Sequence, residues 1–147
     1  MSTKQSAFFK GLARTPMPSP FKAGDGHTVL ASHVFLEDVL TTDVLELIPL
    51  PPGCRVTGLD FVTENIGAIN INIGFMSGVS GDAVSVRTCG AEFVAAGAAN
   101  VAASTALLSL INAGIASGEI RSIGLVPAAN ITLGSTKKIH TRLQFAA

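Results

Sequence analysis

The chain has 147 residues, and its 10 basic and 10 acidic side chains give a formal net charge of zero. That length suits one domain able to bury roughly 68–70% of its unfolded surface, so a core can form without disulfide or metal staples. Apolar residues make up 48% and charged ones only 14%, with no Tyr or Trp. Two readings fit so weakly charged a surface: an ordinary soluble domain, or, preferred here, a subunit whose outer faces partners cover.

Nucleic-acid binding lacks its footprint, because the net charge is zero, stacking aromatics are scarce and only the N-terminus is basic. No run of about 18 apolar residues occurs, so no membrane span is expected. The first 25 residues lack an apolar signal-peptide core, and secretion by that route is not expected. Cys54 and Cys89 are too few and too far apart for a disulfide scaffold or a zinc site. They read as two buried thiols made in a reducing cytoplasm.

Residues 1–26 read as an extended N-terminal arm, basic and proline-rich. Lys4, Lys10, Arg14 and Lys22 meet no acid before Asp25, so residues 1–24 carry +4 and the remainder −4. Pro16, Pro18 and Pro20 favour an extended, polyproline-like path. A disordered tail is one reading. The other is an arm that orders on a neighbouring subunit, with Phe8, Phe9 and Leu12 as apolar anchors and Lys4, Lys10 and Arg14 meeting an acidic surface. Fully extended, such an arm reaches about 80 Å. An amphipathic membrane anchor is too short to be strong.

A β domain is expected over 27–147. His27–Phe35 reads as its first strand and Asp43–Ile48 as the second. Pro49-Leu50-Pro51-Pro52-Gly53 then forms a stiff turn through which no ladder should continue. Arg55–Thr63 mixes its parities, with Val56 and Val62 on one and Leu59 and Phe61 on the other, which suggests a strand covered on both faces. Ile69, Ile71, Ile73 and Phe75 alternate with Asn70, Asn72 and Gly74, a period of two that belongs to a strand. A glycine-punctuated loop follows from Gly74 to Asp82, without the order of letters a phosphate loop needs.

Val84–Cys89 alternates like a short strand. Ala95–Ser117 is Ala- and Gly-rich and fits either about three helical turns over Val101–Leu110 or a small-residue loop packed on a symmetry mate. Ile120–Val126, Ile131–Leu133 and Lys138–Phe145 read as closing strands. In the last, Ile139, Thr141, Leu143 and Phe145 should face inward and Lys138, His140, Arg142 and Gln144 outward. About eight strands with little helix predict an all-β fold, an antiparallel jelly-roll-like β-sandwich.

No reaction centre emerges from the residues, and no cofactor or metal is expected. His27 and His33 share a parity but stand six apart, and His140 is isolated, so no H-x-H or H-E-x-x-H pairing exists. No G-x-S-x-G elbow occurs. Glu37, Asp38, Asp43, Glu46 and Glu64 read as solvated charges at strand ends rather than paired glycosidase carboxylates. Arg55, next to Cys54, points to the opposite face of its strand and should not activate the thiol.

Several segments together resemble a known family. Asp43-Val44-Leu45-Glu46-Leu47, Pro49-Leu50-Pro51-Pro52-Gly53, Arg55-Val56-Thr57-Gly58-Leu59 and Ile71-Asn72-Ile73-Gly74-Phe75 with Gly81-Asp82 are similar to the head decoration (cement) proteins of tailed bacteriophages. The closing Arg121-Ser122-Ile123-Gly124-Leu125, Ile131-Thr132-Leu133-Gly134 and Ile139-His140-Thr141-Arg142-Leu143 resemble their last strands. The resemblance spans about residues 27–145. It implies a non-enzymatic virion protein, a homotrimer on the outer capsid surface that binds and stabilises the major capsid protein lattice. A tail- or vertex-associated (head-fibre) subunit is the alternative. A carbohydrate-binding jelly roll is weakened by the lack of Trp and Tyr.

Overall fold

The structure, a computed structural model, describes residues 2–6, 26–98, 103–104, 110 and 120–146. Its strands are β1 (Thr3–Gln5), β2 (Gly26–Val34), β3 (Val44–Leu50), β4 (Arg55–Glu64), β5 (Asn70–Phe75), β6 (Val94–Ala98), β7 (Ala103–Ser104), β8 (Arg121–Pro127) and β9 (Lys138–Ala146). They form one sheet in the order β1-β3-β8-β5-β6 and a second in the order β2-β9-β4-β7.

From β2 onward the chain is a long antiparallel ribbon folded back on itself. β2 pairs with β9, β3 with β8, β4 with β7 and β5 with β6. Rolling this ribbon brings β9 against β4 and β8 against β5, again antiparallel. The expected jelly-roll-like sandwich of about eight strands is therefore the observed one. β1 is an addition, a short parallel strand on the outer side of β3.

The core lies between the sheets. Leu45, Ile48, Ile71, Ile73, Ile123 and Leu125 from the first meet Val29, Leu59, Phe61, Ile139, Leu143 and Phe145 from the second. Each fully buried side chain of this kind stabilises the fold by about 1.5–3 kcal/mol. Ile71 and Ile73 are buried as their alternation predicts, and so are all four inward positions of β9.

Four local expectations are corrected. The first concerns Pro49: the ladder runs on through Pro49↔Ser122 and Leu50↔Arg121. Ser122 turns its carbonyl to Met76 N–H, 2.9 Å away, so its own N–H also points away from β3. Pro49 therefore sits in a non-hydrogen-bonded pair. Its missing donor faces the side where β1 has already ended, and an edge position tolerates proline.

The mixed parity of Arg55–Thr63 has a different cause from burial on both faces. A bulge between Val56 and Gly58 shifts the register by one, so Val56, Leu59 and Phe61 all face the core while Val62 stays exposed.

Val84–Cys89 is not a strand. Met76 and Cys89 form an isolated bridge and close a loop over 76–89. Within it the Asp82 carboxylate accepts from Val84 and Ser85 N–H at 2.9 and 3.2 Å, a turn incompatible with extended backbone. Ile131–Leu133 likewise contributes only the isolated bridge Val39↔Ile131. Of Ala95–Ser117, the residues through Ala98 complete β6, and Ala103–Ser104 form β7 against Phe61 and Asp60. The other residues of 99–117, except Leu110, lie outside the described residues, and so does the choice between helix and loop there.

Candidate functional site

The 76–89 loop folds over the outer face of the first sheet and presents side chains there. Met76 rests on Gly124, where a side chain would collide with the Met76 Cγ at 2.6 Å. Beyond it the loop is clipped down by charge. Arg87 Nη1 stands 2.8 Å from Glu46 Oε1 on β3, and the two side chains are 1% and 0% exposed. The same carboxylate oxygen accepts from Gly81 N–H at 2.9 Å and from Ser122 Oγ on β8 at 2.6 Å. Gln5 Nε2 on β1 donates to Glu46 Oε2 at 3.3 Å and to the Gly81 carbonyl at 2.8 Å. Arg87 Nε donates to the Ser77 carbonyl at 2.7 Å.

Glu46 thus ties three strands and the loop together. The reading of Glu46 as a solvated strand-end charge is corrected by this burial. Asp43 is corrected in the same way. Its carboxylate is buried and accepts from Ser2 N–H, Ser2 Oγ and Leu40 N–H at 3.2, 2.8 and 3.0 Å. Desolvation pushes its pKa up, but these hydrogen bonds, with Lys4 nearby, hold it below its ordinary value.

The clip makes the loop a rigid display. Val79, Val84 and Val86 project into solvent, Val84 at 96% exposure. A loop whose base is a buried ion pair presents these apolar side chains without spending much ordering entropy when they meet a partner.

The second sheet offers a polar outer face. Arg142 on β9 pairs with Asp60 on β4. His140 lies between Ser32 Oγ on β2 and Glu64 Oε2 on β4, 2.7 Å from each. The hydrogen bond with His140 lowers the Glu64 pKa, against a small opposing effect of desolvation. At the β2 margin of this face Leu30 is 72% exposed.

Of the sequence-predicted arm residues, only Lys4 is described. It sits on β1 opposite Leu45, its Nζ 3.9 Å from Glu37. Phe8, Phe9, Lys10, Leu12 and Arg14 lie outside the described residues. Residues 2–6 belong to the sheet: Ser6 N–H donates to the Glu46 carbonyl at 2.7 Å and Ser6 Oγ to the Leu47 carbonyl at 2.5 Å.

The histidines stay apart. His33 is buried edge-on against Phe35, His27 is half-buried with its ring tilted against Phe145, and His140 faces outward. Among the described residues no group of three His, Cys, Asp or Glu could hold a metal. Cys54 and Cys89 are free; Cys54 is buried and Cys89 partly so. Desolvation pushes the Cys89 thiol up to about 11. Among the described residues no helix is long and apolar enough to cross a membrane. Sequence reading missed the Glu46–Arg87 pair, for which the only local signal was a lone basic residue in a loop of small and apolar residues with one acid, Asp82.

No protein-family model matches this chain, and no curated protein matches it. Solved structures do. A chain in the capsid of Ralstonia phage GP4 superposes with a TM-score of 0.83 at 27% identity, covering 99% of this chain and 97% of that one. A chain in the capsid asymmetric unit of cyanophage Pam1 superposes with a TM-score of 0.52 at 15% identity, over 92% and 94% of the two chains, a likeness of fold alone. The structural neighbours of this jelly roll are therefore chains of phage capsids.

Proposed function

We propose that the chain is a virion structural protein of a tailed bacteriophage, a decoration (cement) subunit that binds the major capsid protein lattice on its outer surface. The observation that carries this reading is the end-to-end likeness to a chain in the capsid of Ralstonia phage GP4. The surface chemistry agrees with it. Charge is low, and valines are held out on a clipped loop, as suits contacts with neighbouring subunits.

The subunit works by adhesion, not by reaction. Each copy, as part of a homotrimer, clamps several capsid neighbours, and small increments repeated over a lattice become large through multivalency. Phe8, Phe9 and Leu12 supply apolar anchoring, and Lys4, Lys10 and Arg14 meet acidic capsid surface.

Copy number in purified virions tests the location. Hundreds of copies per particle are expected; a few or a dozen would move the protein to a tail or vertex. Binding to heads that lack the subunit tests the arm. Phe8→Ala, Phe9→Ala and Leu12→Ala together leave β1 in place and should abolish binding. Undiminished binding would remove these residues from the contact.

A further inference from the structure

The strand β2 closes one side of the second sheet, and among the described residues no strand pairs with its outer edge. Exposed edges invite pairing with another chain, so proteins blunt them with charge, proline, bulges or brevity. β2 has none of these. Its nine residues, G-H-T-V-L-A-S-H-V, contain no charged residue and no proline. They pair with β9 from Gly26↔Ala146 to Val34↔Lys138 without a register shift.

The direction of its free hydrogen-bonding groups follows from its end. Phe35 N–H donates to the Lys137 carbonyl at 3.0 Å, which directs odd-numbered residues toward β9. The N–H and C=O of Thr28, Leu30 and Ser32 therefore point outward from the sheet edge. The Val34 carbonyl, on the same side, is taken by Leu36 N–H at 2.9 Å.

Around Leu30 the strand reads nearly the same in both directions. His27 mirrors His33, Thr28 mirrors Ser32, and Val29 mirrors Ala31. We propose that β2 pairs antiparallel with β2 of a second copy of this chain across a two-fold axis at Leu30, fusing two four-stranded sheets into one of eight strands.

In that register Leu30 faces its own counterpart and Thr28 faces Ser32 of the other copy. All of these residues carry the outward-pointing backbone groups, so the hydrogen-bond parity and the sequence mirror agree. An axis midway between two residues would set outward-pointing groups against inward-pointing ones and lose the ladder. An axis at Val29 or Ala31 would keep the ladder but lose the sequence mirror. Side chains match too. Thr–Ser pairs hydrogen-bond across such a junction, and the two Leu30 side chains cover one another on the outer face. No like charges meet, because β2 has none. A two-fold contact of this kind is self-complementary and closes on itself. On a trimeric subunit it would link neighbouring trimers into a net, but it requires only β2.

The experiment uses the full chain in solution. Leu30→Cys places two thiols on residues about 5.5 Å apart at Cα, within disulfide reach. Leu36→Cys is the control, on a side chain that is 62% exposed but outside the strand. Under mild oxidation L30C should give disulfide-linked pairs at least about tenfold faster than L36C, because pairing raises the local thiol concentration. Leu30→Lys sets two like charges against each other, and at high protein concentration it should halve the mass measured by light scattering. The exposed position leaves the fold intact, as an unchanged circular dichroism spectrum would verify. Equal cross-linking rates for L30C and L36C, or an unchanged mass for L30K, would overturn the pairing.

Discussion

Arg87 reaches from the 76–89 loop to Glu46 on β3 and forms a 2.8 Å ion pair from which solvent is excluded on both sides. Buried pairs are weak sources of net stability but strong constraints, since either partner alone is a desolvated charge. Here the constraint fixes the loop that carries Val79, Val84 and Val86. Arg87 Nη2 has no hydrogen-bond partner among the described residues, so the clip is not fully satisfied.

Arg87→Met should therefore destabilise the protein by about 3–5 kcal/mol, the usual effect of leaving a buried charge unpaired. Adding Glu46→Leu should recover part of this. The recovery is incomplete because Gly81 N–H and Ser122 Oγ also lose their acceptor. Urea unfolding of both single variants and the double variant measures the coupling. Additive effects would show that the pair acts as two independent groups. Limited proteolysis should cut R87M first within 77–88.

Two glycines on adjacent strands should respond differently to alanine. A Cβ at Gly74 would overlap the backbone of Gly90 and the Glu92 carboxylate, and backbone cannot step aside. A Cβ at Gly124 would meet Met76, an adaptable side chain, with Val44 Cγ1 at 3.2 Å. Gly74→Ala should lower stability by about 1–3 kcal/mol or more, as overpacking does, and Gly124→Ala by clearly less. Thermal melts of the two variants decide the order, and the reverse order would contradict the packing described.

Asp43 makes stability depend on pH on the acid side. Its folded pKa lies below the ordinary 3.8. The unfolded chain thus binds a proton first as pH falls, and the contribution of Asp43 is fully present above the ordinary value. That contribution is lost as pH drops from there through the folded pKa. The melting-temperature gap between the natural protein and Asp43→Asn should be constant above about pH 5 and close progressively below pH 4. A gap that persists at pH 2 would show that the Ser2 and Leu40 hydrogen bonds do not depend on the charge.

Some of this architecture was legible because it depends only on neighbours along the chain. Ile71 and Ile73, or Ile139 through Phe145, declare an inner face by alternation alone, since a pleated strand turns successive side chains to opposite sides. The alternation of Val84–Cys89 looked the same and misled. Those valines have no sheet to lie on once Asp82 turns the chain and Arg87 draws the loop toward Glu46. The mirror in β2 was also present in the letters. It acquired meaning only once β2 stood at the edge of its sheet among the described residues, a fact about strand order that no window of sequence contains.

By itself, then, the sequence determined an all-β chain of low charge, the burial of its regular strands and a basic N-terminal segment, because composition and period act locally. Tertiary structure alone decided that Glu46 is buried, that Pro49 stays in the ladder and that β2, paired with β9 on one side, has no strand among the described residues on the other. Each of these depends on what a residue distant in the chain supplies or fails to supply: a guanidinium, a non-hydrogen-bonded partner, or another strand.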